Sequence, residues 1–192
     1  KGSDVLWLDA KGILWRKNIV EDSDAESLNT EPFPVQSETK YEILALSGRI
    51  FLQENEEIFQ LENETRSFKK VFDRAAHFSL SPDKKKIAFS NGTEVWIYYL
   101  ENQEDQPMRK GGDTIFLTRF SQKVENLSWL NPHYLLFSVG DTVKAAEIDN
   151  RDSLNTVDIA VLPNPLLFWK EQEKILYILS DEKFYATEKI IR

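Results

Sequence analysis

Short runs of apolar residues, broken by polar turn formers, follow one another along the whole chain. The stretch "SPDKKKIAFSNGTEVWIYYLEN" (residues 81–102) shows the pattern best, with "KKIAFS" and "EVWIYYL" separated by Asn91-Gly92. Runs this short, rich in β-branched and aromatic residues and bounded by turn signals, predict strands. Asn91-Gly92 predicts a tight hairpin between them, because Gly enters positive φ without steric cost. "AAHFSL" before Ser81 predicts a third strand, joined through Ser81-Pro82-Asp83, and "DTIFLTRF" (residues 113–120) a fourth.

The same unit recurs. "FSNGTEVWIYYLEN" (89–102) lies on "FSVGDTVKAAEIDN" (137–150), with Phe, Ser, Gly, Val and the final Asn coinciding. "IYYLEN" (97–102) lies on "IFQLEN" (58–63), and "ILWRKN" (13–18) takes the same role further back. "LSWLNPHYLLF" (127–137) matches "LFWKEQEKILY" (167–177), which sets Trp129 on Trp169. Strand–turn–strand units repeating at about 40–50 residues are the signature of β-propeller blades, each a four-stranded antiparallel sheet. A β-sandwich also has strands every 8–12 residues, but has no reason to repeat its strand ends at blade spacing.

The fold class read from this pattern is an all-β propeller of about five blades, or an arc of a larger one, filling residues 1–192 as a single domain. The blades fall at 1–36 ("DVLWLD", "GILWRK" and "PFPVQ"), 37–74, 75–123, 124–162 and 163–192 ("NPLLFW", "KILYIL", "KFYATEK"). The first lacks an opening strand and the last a closing one. Open edges of this kind invite pairing with another chain, so closure or self-association through the edge strands is expected.

Composition narrows the function classes. Of the 192 residues, 41% are hydrophobic and 12% aromatic, enough to bury a core. Cysteine is absent, which excludes disulfides and thiolate chemistry. The formal charge is −8, a balance that repels phosphate backbones and makes nucleic acid a poor partner. No apolar run approaches the ~20 residues that span a bilayer, so this stretch inserts no segment directly into a membrane. "KGSDVLWLD" has no signal-peptide layout.

Candidate chemistry is sparse. Gly-x-Ser-x-Gly, a phosphate-cradling glycine loop and His-Glu-x-x-His are all missing. Two histidines, His77 in a predicted strand and His133 after Asn131-Pro132, do not make a metal cluster. "EDSDAES" (21–27) offers carboxylates for calcium but lacks the central Gly and terminal Glu of an EF-hand loop, and reads as a hydrated loop. "DNRDSLN" (149–155) has the same weakness, and Asp149-Asn150 falls on Glu101-Asn102, a recurring turn. Trp129 and Trp169, at equivalent blade positions, read as packing between neighbouring blades; Trp7, Trp15 and Trp96 lie in strands and read mostly as core. "QPMRKGGD" (106–113) reads as a solvated hairpin turn whose Met108, Arg109 and Lys110 form a candidate partner-contact loop, the basic pair facing an acidic partner. No catalytic, cofactor-binding or metal-binding residue is assigned.

"FSLSPDKKKIAFS" (78–90) resembles the WD40-like, TolB-type propeller repeat of bacteria, in which a strand runs into Ser-Pro-Asp and then an apolar strand. "LSWLNPHYLLFS" is a looser copy, with Asn131-Pro132 in place of that turn. "WLNPHYLLFSVGDTVKAAEID" followed by "LLFWKEQEKILYIL" is similar to the propeller region of PEGA-domain envelope proteins. The resemblance implies a non-enzymatic protein-interaction or scaffolding role, periplasmic or surface-exposed, in a bacterial cell envelope. The alternative is the substrate-gating propeller of a prolyl-oligopeptidase-type serine peptidase, with its hydrolase domain outside this sequence.

Overall fold

The computed structural model describes residues 3–21, 23–149, 151 and 154–190, with eighteen strands and, among those residues, no helix. The chain divides into two compact units, residues 1–74 and 75–192.

The first unit holds two antiparallel sheets. One comprises β1 (Asp4–Leu8), β2 (Leu14–Asn18) and β3 (Glu26–Ser27); the other comprises β4 (Tyr41–Leu46), β5 (Arg49–Glu54), β6 (Glu57–Glu62) and β7 (Ser67–Phe72), each in simple sequence order. The third strand of the first sheet therefore comes from the stretch expected to be a hydrated acidic loop, where Glu26 accepts from Arg16 Nε at 2.6 Å; Asp22 of that stretch lies outside the described residues. "PFPVQ" forms no strand. Pro32 and Pro34 have no N–H to give to a ladder. Phe33 instead lies edge-on to Tyr41, Phe59 and Phe68, with ring centroids 6.0, 4.8 and 5.3 Å away. Buried Asn29 fixes this crossing: it accepts from Leu14 N at 2.7 Å and donates to Gly12 O at 2.9 Å and Glu31 O at 2.8 Å. Both amide N–H groups and the carbonyl oxygen find partners, so the buried side chain leaves no polar group unpaired.

The second unit holds three sheets: β8 (His77–Leu80) to β11 (Thr114–Arg119) through β9 (Lys86–Ser90) and β10 (Glu94–Tyr99); β12 (Val124–Asn131) to β15 (Thr156–Val161) through β13 (Tyr134–Val139) and β14 (Thr142–Glu147); and β16 (Leu166–Lys170), β17 (Ile175–Ser180) and β18 (Lys183–Ala186). Successive residues of a strand point to opposite faces, and here both faces of the middle sheet are apolar. One face carries Leu135, Phe137 and Ala146, buried with Ala88, Val95 and Ile97 of the preceding sheet. The other carries Leu136 and Val143, buried with Leu176 and Ile178 of the following one. This is how a repeated four-stranded sheet builds a core without a second layer of its own. The two tryptophans matched by the repeat do the packing expected of them. Trp129 is 4% exposed and donates its indole N–H to Ser79 O of the sheet before it at 2.8 Å, and Trp169, half-buried, packs against the cluster in which Leu130 and Leu136 of the middle sheet meet Leu176 and Ile178 of its own.

The Ser81-Pro82-Asp83 turn owes its rigidity to side chains. Ser81 Oγ bonds Asp83 Oδ1 at 2.5 Å and accepts Lys86 N at 2.9 Å, while Lys86 Nζ, on a residue 4% exposed, meets Asp83 Oδ2 at 2.8 Å. Burial alone would raise the Asp83 carboxyl. The bonds from Lys86, Ser81 and the Lys85 N–H outweigh it and hold the group below its ordinary value. A carboxyl depressed in the folded state stabilises the fold above its unfolded pKa, about 3.9, and that contribution is lost as pH falls through the folded value. Asp83→Asn leaves a buried ammonium without its counter-charge. The expected loss at pH 7 is about 2 kcal/mol, less than for a fully enclosed pair because the Asp83 side chain is 25% exposed. Urea midpoints at pH 7 and pH 3 check this: the variant should lose stability at pH 7 and less of it on acidification than the parent.

Candidate functional site

A concavity of about 820 Å³ opens in the second unit between its first two sheets. One wall is Glu101 to Pro107, the first half of the loop from Leu100 to Asp113 that joins β10 to β11. That loop is a small hairpin in its own right. Gln103 and Arg109 exchange backbone bonds of 2.8 and 3.1 Å, Asn102 Oδ1 accepts Gly111 N at 2.9 Å, and Gly112 N returns to Tyr99 O at 2.7 Å. The facing wall is the β12–β13 turn, Pro132 to Tyr134, with Glu147 to Asp149 at the end of β14. Ile148 N donates to His133 O at 2.9 Å and ties these two segments together. The Asp83–Lys86 turn supplies the third side, bonded to the loop through Leu100 N to Lys85 O at 2.8 Å. Two local rules place these walls. Asn131-Pro132 makes an Asx turn in which Asn131 Oδ1 accepts the N–H groups of His133 and Tyr134. The Ser-Pro-Asp turn is held as described above.

The three residues of the candidate contact loop part company. Met108 is 64% exposed and Lys110 is exposed. Arg109 is half-buried and directed toward Tyr99 and Asp149. Burial raises the Tyr99 hydroxyl, 4% exposed, above its usual range, and the Arg109 guanidinium opposes that rise. Asp149 is held below the usual carboxylate range, first by its bond from Arg151 and also by the charge of Arg109. The outward cation of the loop is thus Lys110, alongside the exposed carboxylates of Glu101, Glu104 and Asp105. Asn102 Oδ1 accepts Gly111 N across the base of this loop; Asn150, the residue the repeat sets on it, lies outside the described residues.

His77 and His133 are both exposed and lie in different elements. Among the described residues no group of three or more His, Asp or Glu side chains is placed to hold a metal ion, and no helix is long and apolar enough to cross a membrane. Sequence reasoning missed the cleft. Its lining is assembled from two sheets whose turns are about 50 residues apart, and turn composition alone does not say which turns converge.

No family model matches the chain, and no curated protein matches it. Solved structures do. Kluyveromyces lactis Hsv2 is similar over 100% of this chain and 60% of its own, with a TM-score of 0.61 at 12% identity. The β-propeller domain of Myceliophteria thermophila Cps50 (Swd1) is similar over 96% of this chain and 66% of its own, with a TM-score of 0.56 at 10% identity. The extracellular domain of the one-component system BT4673 from B. thetaiotaomicron is similar over 97% of this chain and 27% of its own, with a TM-score of 0.56 at 12% identity. The chain spans about three fifths of the length of Hsv2. At these identities the likeness establishes the fold alone: blades of a β-propeller.

Proposed function

We propose that this chain is a non-enzymatic protein-interaction or scaffolding propeller that grips a protein partner at the cleft between the two sheets β8–β11 and β12–β15. The observation that carries the reading is the cleft itself: about 820 Å³, walled by a side-chain-stapled loop and two fixed turns, with Met108 exposed on the loop beside it. Rigid walls lower the ordering cost of binding, and an exposed Met is an adaptable apolar contact. Met108 and Lys110 are the proposed partner contacts, with Arg109 holding the loop against Tyr99 and Asp149.

The setting we propose is the bacterial cell envelope, periplasmic or surface-exposed. It is supported by the resemblance of "FSLSPDKKKIAFS" to TolB-type repeats and of residues 129–149 to PEGA-associated propellers, and by the extracellular bacterial domain among the similar folds. A photo-crosslinking residue at position 108, compared with one at exposed Glu64, tests the cleft in cells that make the protein. A discrete protein adduct from position 108 alone is expected; equal labelling from both positions, or none, rejects the site. Fractionation of the same tagged protein is expected to recover it with the envelope, and recovery in the cytosol rejects that setting.

A further inference from the structure

We propose that a second pocket of this chain, where β12 lies between β8 and β16, binds an extended, proline-rich segment of a protein partner that carries a basic residue beside its prolines. The three strands open their respective sheets and lie side by side. The pocket measures about 440 Å³, and Leu80, Pro82, Leu127, Trp129 and Trp169 give it an apolar wall. It is separate from the cleft described above, with only the Ser81-Pro82-Asp83 turn bordering both, and the proposal does not rest on that cleft.

The repeat sets Trp169 where Trp129 stands, yet the two indoles end differently. Trp129 donates its N–H to Ser79 O at 2.8 Å. Trp169 Nε1 is buried and finds no acceptor among the described residues. A buried indole N–H ordinarily has a partner, and leaving it without one costs stability. The two strands are built differently. β12 is bulged twice against β13, between Glu125 and Ser128 and between Trp129 and Asn131, and Asn126 takes a φ of +54° there. β16 runs against β17 in unbroken register. Bulges re-aim the side chains of a strand, so the tryptophan on the regular strand misses the kind of carbonyl that its counterpart reaches.

The unpaired donor calls for an oxygen acceptor from outside. Glu171, exposed, is the one charged side chain lining the pocket among the described residues, and its carboxylate repels carboxylate and phosphate oxygens. A neutral carbonyl remains, the same acceptor that the Trp129 indole uses. The lining has little to offer a ligand's own donors. Ser79 O already receives Trp129. The Asn126 amide gives its N–H groups to Ser138 Oγ and Pro165 O at 2.9 and 2.8 Å, and its carbonyl takes Leu167 N. An ordinary peptide entering here would leave backbone N–H groups unpaired. Proline has none to lose. Its carbonyls stay free, its ring packs on an indole, and its chain is extended before it binds, which lowers the ordering cost. A basic residue next to the prolines meets Glu171. Trp169 as a whole is half-buried and borders the pocket, so a slight tilt of its ring brings the N–H to the incoming carbonyl.

The test is an NMR titration of the isotope-labelled chain with a capped synthetic peptide of consecutive prolines ending in arginine, and with the same peptide carrying alanine for proline. Trp169→Phe identifies the Trp169 indole signal and removes the donor while keeping an aromatic ring. Glu171→Gln removes only a charge at an exposed position. The Trp169 indole signal is expected to move and to saturate below about 1 mM proline peptide. The alanine peptide and the Trp169→Phe chain should each bind about tenfold more weakly, and Glu171→Gln about threefold. A melting curve reports whether Trp169→Phe keeps its fold; if it does not, the parent's indole signal and the Glu171→Gln chain still decide. An indole signal that stays still to about 1 mM overturns the proposal, as does an alanine peptide bound as tightly as the proline one. Unchanged binding by Glu171→Gln overturns it too, and so do shifts confined to Glu101 to Pro107, which would place the peptide in the cleft instead.

Discussion

Phe137→Ala is expected to cost the second unit about 3–5 kcal/mol, as befits an aromatic cut out of a closed core. Phe137 is fully buried in β13, its ring 5.4 Å from that of Phe120, within the cluster that joins β8–β11 to β12–β15. The face it occupies is the means by which two sheets hold each other, so the cavity opens between sheets and cannot be filled by sliding one strand. A loss of this size is a large fraction of a domain's typical 5–15 kcal/mol. Urea unfolding followed by tryptophan fluorescence measures it, and hydrogen exchange locates it. Faster exchange should concentrate in residues 75–192, in β9, β10 and β13 above all. A loss below about 1 kcal/mol would mean that the sheets are not close-packed at this layer.

Gly12→Ala is expected to be the most damaging single methyl in the first unit, at about 3 kcal/mol from overpacking and left-handed strain together. Gly12 has φ +80°, and an added Cβ would stand 1.9 Å from Phe33 O and 2.8 Å from Phe33 N. Neither is a flexible side-chain end, so Phe33 itself must move. It is the residue whose ring closes on Tyr41, Phe59 and Phe68 and whose N–H donates to Gly12 O at 2.9 Å. Gly48→Ala is the control. Its φ of +74° carries similar strain, but nothing lies within 4 Å of the added Cβ, so about 1–2 kcal/mol is expected. Thermal melts of both variants separate clash from strain. If the two shift equally, the close approach at Phe33 is not what holds the first unit together.

The parts of the molecule that could be read in advance are those set by local chemistry. "KKIAFS" and "EVWIYYL" became β9 and β10 because β-branched and aromatic residues suit a pleated surface and Gly92, at φ +100°, allows the sharp reversal. The match of Trp129 to Trp169 carried over because equivalent positions in a repeat meet equivalent neighbours. The readings that changed all depended on a partner far along the chain. Glu26–Ser27 pairs because β2 offers it an edge, which the acidic composition of residues 21–27 gave no sign of. Phe33 left the strand expected for "PFPVQ" because an aromatic pocket in the next sheet outweighs the few backbone bonds a doubly proline-flanked segment can make. Of the strand tryptophans, read mostly as core, Trp7 is exposed and Trp96 half-buried, since alternation assigns a strand two faces without saying which one another sheet will cover. The inward turn of Arg109 likewise follows from Tyr99 and Asp149, neither adjacent to it in sequence.

Periodicity, turn residues and the recurrence of a 40–50-residue unit were sufficient, taken alone, to specify an all-β chain of propeller blades and nearly every strand in it, because each of those signals acts over a few bonds. Which faces are covered, where the cleft opens and which apolar surfaces stay exposed were decided only in three dimensions. Those properties belong to pairs of sheets, and the free energy of burying a face exists only once its neighbour is in place.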